Sequence, residues 1–493
     1  MIARPIVCLG CILSATVFAE PKAESESLER VIEAAVENAV EEALENTVEF
    51  SVTVNVDVDV VVKSAEEPEK PDEKLMQEAP VETPLETQAK APAEMKKALL
   101  ITAESLTEAW KPFIAWKQER AIEVEMVTVK AIGEEMEGPD IQEKIRQYVQ
   151  RAIAENGIRW VILGGDSLPG GKGLVPDRDT LHVSMWGRES DIPTDIYYLS
   201  SKNWDADGDG VYGEFKEDRE AIVYPDGSVG LGRIPVRTAA DVVAYTEKVK
   251  QYESSYPDGT FKESFLYTCT VPGAYAKVRR SWDDWVSKAL KDGEVSRYFA
   301  DKTPWDEEED GDYALSGANW VKMFNEEKYG KMHLHGHGFI DGWVMEDERS
   351  LFGHSQVEQL TNKGAYPMIT TVSCFTGHYD AKKDPSIAEA MIRKEDAGAI
   401  AIVAPCREGK PHFVDPQADF PLMVREGKLD GTTRTMTLFW SKGLGEQATA
   451  GEALMLSKKA QVDDALISPN IHMGICELNL LGDPTLAVDQ SAE

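Results

Sequence analysis

From residue 96 onward the chain alternates short apolar runs with longer amphipathic stretches. Apolar clusters at 98–102, 123–129 and 160–164 predict strands. Between them, 106–120 and 140–156 carry apolar residues at helical spacing, so the first unit reads βαβαβ. Pro112 either kinks the first of these helices or marks its start, because proline removes an interior hydrogen bond. A polar, irregular stretch follows, and then a strand at 229–233 and a helix at 239–253. The pattern restarts with strands at 264–270, 332–335, 368–372 and 398–404 and helices at 317–327 and 386–394. Such alternation predicts an α/β fold: two adjacent parallel-sheet subdomains with helices on both faces, 96–258 and 259–490, with sites at the carboxyl ends of strands. No fixed-period repeat is visible.

The first 95 residues read differently. Arg4, an apolar run from 5 to 19, and Val17 and Ala19 before a cut form the pattern of a signal peptide over 1–19. An alternative is lipid attachment at Cys11, after Leu9-Gly10. Residues 20–95 form an acidic extension. Within it 28–44 has helical spacing, Phe50 to Val60 alternates as a strand does, and 66–92 reads as a solvated linker. Either the extension is a tether with a small sticky element, or it is a removable segment that covers a cleft. No later stretch is long and apolar enough to span a bilayer, so the expected location is secreted, periplasmic or at the cell envelope.

Charge narrows the partners. The chain of 493 residues has a formal net charge of −35, and 20–95 hold 21 acidic against six basic side chains. Clustered Lys and Arg are what nucleic acids and anionic membranes require, so both are disfavoured. Divalent cations are compatible with it. In Asp205-Ala206-Asp207-Gly208-Asp209-Gly210-Val211 three carboxylates alternate, glycine stands sixth and a carbonyl is available seventh, the first half of an EF-hand-like loop. The twelfth position is Lys216, so Glu214 or Glu217 would have to replace the usual glutamate. The expectation is structural calcium at Asp205, Asp207, Asp209, Val211 and Glu214, and no organic cofactor; a plain acidic turn is the alternative.

Six cysteines fall to four once the signal is removed, with no CxxC spacing. Cys269 and Cys406 lie in or just after apolar strands and read as buried; pairing of some as disulfides stays open. Cys374 instead follows the strand at 368–372. His337, flanked by Gly336 and Gly338, holds the same place after the strand at 332–335. Neighbouring parallel strands would bring thiol and imidazole into one crevice, where the imidazole can take the thiol proton. Three readings of His333, His335 and His337 remain open: a strand end with satisfied histidines, a three-histidine zinc site of a hydrolase, or a thiol base at His337. The glycines at 164–165 and 170–173 lack the spacing of a phosphate loop.

Gly336-His337-Gly338 together with Thr371-Val372-Ser373-Cys374-Phe375-Thr376-Gly377 resembles the catalytic strands of gingipain-type cysteine peptidases, which share a His-Gly and Cys arrangement with caspases. The runs 385–390, 397–402, 229–235 and 479–486 are similar to segments of that family, so the resemblance spans about 96 to 486. It implies a cysteine endopeptidase acting on protein or peptide substrates. Cys374 would be the nucleophile and His337 the general base, with the N–H groups of Gly338 and Cys374 as oxyanion hole. An acid orienting the histidine is expected, with Asp166 as candidate against a plain turn aspartate. Asp195 resembles the family position that selects Arg or Lys, against a loop aspartate capping a turn. A non-enzymatic, calcium-stabilised envelope protein is the remaining alternative.

Overall fold

A computed structural model of the chain describes residues 95–184, 187–254, 264–270, 295–299, 313–345, 350–382, 385–409 and 431–489. The signal peptide, the acidic extension and its helix, strand and linker lie outside the described residues. Residues 89–493 cluster as one compact unit.

The apolar runs become the strands of an eleven-stranded sheet: β1 (Lys96–Thr102), β2 (Ile122–Thr128), β3 (Ile158–Gly164), β4 (Gly230–Ile234), β5 (Phe265–Cys269), β6 (Val295–Phe299), β7 (Tyr313–Ala314), β8 (Lys331–His335), β9 (Met368–Thr371), β10 (Ala401–Pro405) and β11 (Leu478–Gly482). Their spatial order is β7-β6-β5-β8-β9-β10-β11-β4-β3-β1-β2. The core strands read as continuous apolar runs because helices cover both faces. Helices Thr107–Gln118 and Ala239–Ser254 pack together on one face, and Ile141–Asn156 covers the other, as right-handed crossovers on either side of β1 require. Asp140 caps Ile141–Asn156 by accepting the Glu143 N–H at 2.8 Å. The helix at 107–118 runs through Pro112 rather than starting there. Buried Trp110 and Phe113 on either side of the proline anchor it, and Trp110 Nε1 donates to Thr102 Oγ1 at 2.9 Å.

β11, which the apolar pattern did not predict, joins the two halves. It pairs parallel with β4 and antiparallel with β10, whereas the pairs within each half are parallel. The strands of the first half therefore run opposite to those of the second. The carboxyl ends of β5, β8, β9 and β10 share an edge with the amino ends of β1, β3 and β4. The two predicted parallel sheets are thus continuous, but their site-bearing edges point in opposite directions.

Candidate active site

β8 ends at His335, whose carbonyl accepts the Thr270 N–H at 3.0 Å. A Cβ at Gly336 would overlap the Thr270 hydroxyl, so the chain can turn off the sheet here only without a side chain. It then enters a small antiparallel sheet, His337–Phe339, Gly342–Val344 and Ser350–Gly353, which holds His337 exposed above the edge. Trp343 anchors this sheet by donating to Thr371 Oγ1 of β9 at 3.2 Å.

Beside it, β9 runs into Val372, Ser373 and a partly buried Cys374. A Cβ on Gly338 would sit 2.7 Å from Thr376 Cγ2, 2.8 Å from Ser373 Cβ and 2.9 Å from the Cys374 carbonyl oxygen. The backbone next to His337 therefore rests directly on the backbone of Cys374. The loop is fixed by Thr376 Oγ1 to the Ser373 carbonyl (2.8 Å), Phe375 N–H to the Arg407 carbonyl (2.7 Å) and Gly377 N–H to the Pro405 carbonyl (2.9 Å). Cys374 Sγ lies 3.8 Å from the Gly409 carbonyl. Phe375 has φ 59°, a left-handed conformation uncommon for a side chain of its size.

The other cysteines are poor nucleophiles. Cys269, Cys406 and Cys476 are buried. Burial holds the Cys406 thiol well above its usual range and pushes Cys476 up to about 12.

The match with peptidase family C25 covers residues 91–489. The chain belongs to that family. Gingipain R2 of Porphyromonas gingivalis is 23% identical over 317 residues, which are 63% of this chain and 37% of the relative, so the chain matches well under half of that protein's length. Two solved structures share the fold. The Arg-specific cysteine proteinase gingipain R has a TM-score of 0.56 at 19% identity, covering 82% of this chain and 80% of the other. The complex of the P. gingivalis RgpB pro- and mature domains has a TM-score of 0.57 at 17% identity, covering 79% of each. The α/β class and the gingipain-type cysteine peptidase family expected from the motif around His337 and Cys374 are thereby established for this C25 chain.

Other expected site residues fare differently. His333 is buried, with Nδ1 2.8 Å from Thr370 Oγ1 and its ring stacked on Tyr267. The His335 ring centroid lies 6.1 Å away and tilted by 54°. His337 has already left the strand, so the three imidazoles do not converge on a zinc ion. Among the described residues only Asp205, Asp207 and Asp209 bring three ligand atoms of this kind within 4.8 Å of one another.

Asp166 follows β3 and so stands at the edge opposite His337. Its carboxylate pairs with Arg237 of the first half and with Arg393 of the second at 3.1 Å. Asp195 is buried under a two-pronged pair with Arg233, Nε to Oδ2 at 2.8 Å and Nη2 to Oδ1 at 2.6 Å. In both cases a position relative to a strand end does not say which arginine the fold brings to it.

A group that the sequence did not single out lies around Arg407, just beyond β10. Its guanidinium holds Asp380 with two bonds of 2.9 and 2.8 Å, and it also donates to the carbonyl of Asp191. Burial, then the charges of Asp191 and Asp380, push the nearby Asp179 carboxyl up to about 6. Burial, then the charge of Asp179, hold the Asp177 carboxyl well above the usual carboxylate range. No spacing rule connects residues 177–191 with 380 and 407, because the hairpin Arg178–Ser184/Gly187–Thr194 reaches this edge only through tertiary packing.

Proposed function

We propose that this chain is an exported cysteine endopeptidase in which Cys374 attacks the peptide carbonyl and His337 shuttles its proton. The close seating of Gly338 on the Cys374 loop carries this reading, since it sets the two side chains on adjacent strand ends at one sheet edge. His337 takes the thiol proton and returns it to the leaving amine. The N–H groups of Gly338 and Cys374 receive the developing oxyanion, and water then resolves the thioester. Exposure of His337 leaves it open to substrate. Cys374→Ala should lower kcat by about 10⁴-fold or more, and His337→Ala by about 10²- to 10⁴-fold. Peptide cleavage that survives loss of the thiol would reject the mechanism.

The carboxylates of Asp179 and Asp191, beside the Arg407–Asp380 pair, support a preference for Arg or Lys before the cut, which the resemblance at Asp195 implies. A peptide-library profile without basic preference would remove that refinement. No helix among the described residues is long and apolar enough to cross a membrane, and export rests on the leader at 1–19.

Calcium at the loop of Asp205, Asp207 and Asp209 is the second part of the proposal. Their carboxylate oxygens gather within 4.8 Å. Buried Asp218 braces the loop by accepting the N–H groups of Ala206 (2.6 Å) and Glu214 (3.1 Å), so the far end is closed by an aspartate two positions beyond the twelfth. Calorimetric titration should show calcium uptake that Asp207→Ala abolishes, with a stabilisation of about 2.7 kcal/mol at a hundredfold excess over Kd. Uptake unchanged in the variant would place the ion elsewhere.

A further inference from the structure

We propose that Arg407 is a positioning residue for the nucleophile, an inference that rests on the reading of Cys374 as the attacking thiol. One residue clasps the loop after Cys374 at both ends. Its backbone carbonyl accepts the Phe375 N–H at 2.7 Å. Its guanidinium grips Asp380, five residues further on, through parallel bonds from Nη1 to Oδ1 (2.9 Å) and Nη2 to Oδ2 (2.8 Å). The remaining donor capacity goes to the Cys406 carbonyl at 2.9 Å and to the Asp191 carbonyl of the hairpin. His378 closes the same loop from within: its N–H donates to the Phe375 carbonyl at 3.1 Å and its Nε2 lies 3.1 Å from Asp380 Oδ1.

The effect on the thiol follows from peptide geometry. A bond to the Phe375 N–H fixes the plane of the Cys374–Phe375 peptide, because that plane is rigid. The plane also carries the Cys374 carbonyl, the atom against which Gly338 is seated. Pinning it therefore sets the Cys374 side chain relative to the strand that carries His337. Phe375 at φ 59° would relax to another conformation if the clasp were released. Only a guanidinium suits the task. Its planar fork serves a carboxylate and two carbonyls in different directions at once, whereas an ammonium has no fixed fork to match the carboxylate. Both ion-pair partners are largely buried, with side-chain exposures of 11% for Arg407 and 3% for Asp380, so the pair is shielded from solvent screening.

The test uses the full chain with Arg407→Met, Arg407→Lys and Asp380→Asn, each normalised by titration of active thiols and compared with wild type and Cys374→Ala. Arg407→Met should lower kcat per active thiol by about 10- to 100-fold with KM within about threefold, the signature of a misplaced reacting group. Arg407→Lys should recover little of this, and Asp380→Asn should fall between. Should Arg407→Met not fold, the other two variants carry the same comparison. A kcat per active thiol within about threefold of wild type in the folded variants would overturn the proposal, even where thermal stability fell. So would a rise in KM at unchanged kcat, which would make Arg407 a substrate contact. A Cys374→Ala variant as active as wild type would instead sink the underlying reading, and is seen independently of Arg407.

Discussion

At the scale of single residues, what a side chain can do here is decided by what the fold seats against it. Gly338 has no room for a methyl group between Thr376, Ser373 and the Cys374 carbonyl. Gly338→Ala should therefore push the two strand ends apart, costing about 1–3 kcal/mol of stability as overpacking does and lowering kcat at least about tenfold. Urea titration and steady-state kinetics check both, and a variant with wild-type values would show the contact to be slack. The proposed dyad was legible because glycines flanked a histidine and a cysteine followed a strand. What was not legible is that Asp166 and Asp195 meet Arg237, Arg393 and Arg233, partners brought to them by the fold and not by spacing.

Among elements, the hairpin Arg178–Ser184/Gly187–Thr194 went unread in the sequence pattern and is sensitive to pH. Asp179 lies in it with a carboxyl raised to about 6, chiefly by burial and then by Asp191 and Asp380. Its folded pKa exceeds the unfolded value of about 3.9, so the folded chain holds the extra proton between pH 4 and 6. Its contribution to stability is full below pH 4 and is lost as pH rises through 6. Asp179→Asn should thus be more stable than wild type at pH 8, with the difference vanishing towards pH 4; thermal midpoints across that range measure it, and a gain that grows on acidification would contradict the assignment. The elements read from the pattern lie within a few residues of those found, because burial on both faces writes apolar runs into β1, β3 and β9, whereas β6 and the helices Gly431–Trp440, Ala450–Lys459 and Pro469–Glu477 went unread. The helix at 387–393 is capped by Ser386 with Glu389 in a reciprocal box, a signal visible in the sequence itself.

For the whole molecule, the decisive element is β11. Its apolar run follows directly on the helix Pro469–Glu477, and nothing local distinguishes it from a continuation of that helix. Inserted between β4 and β10 with opposite sense to its second-half neighbour, it makes one sheet of two and turns their site-bearing edges apart. One sheet implies one unfolding unit: residues 89–493 should lose tryptophan burial and slow amide exchange in both halves in a single urea transition. The central claim, that Cys374 alone among the thiols of this unit does the chemistry, is met most directly by following alkylation and peptide hydrolysis on the same sample. Cys374 should be the thiol labelled in the folded protein, and residual activity should fall in direct proportion to its labelling, reaching zero at one label per chain. Activity that persists once Cys374 is fully labelled would contradict the account.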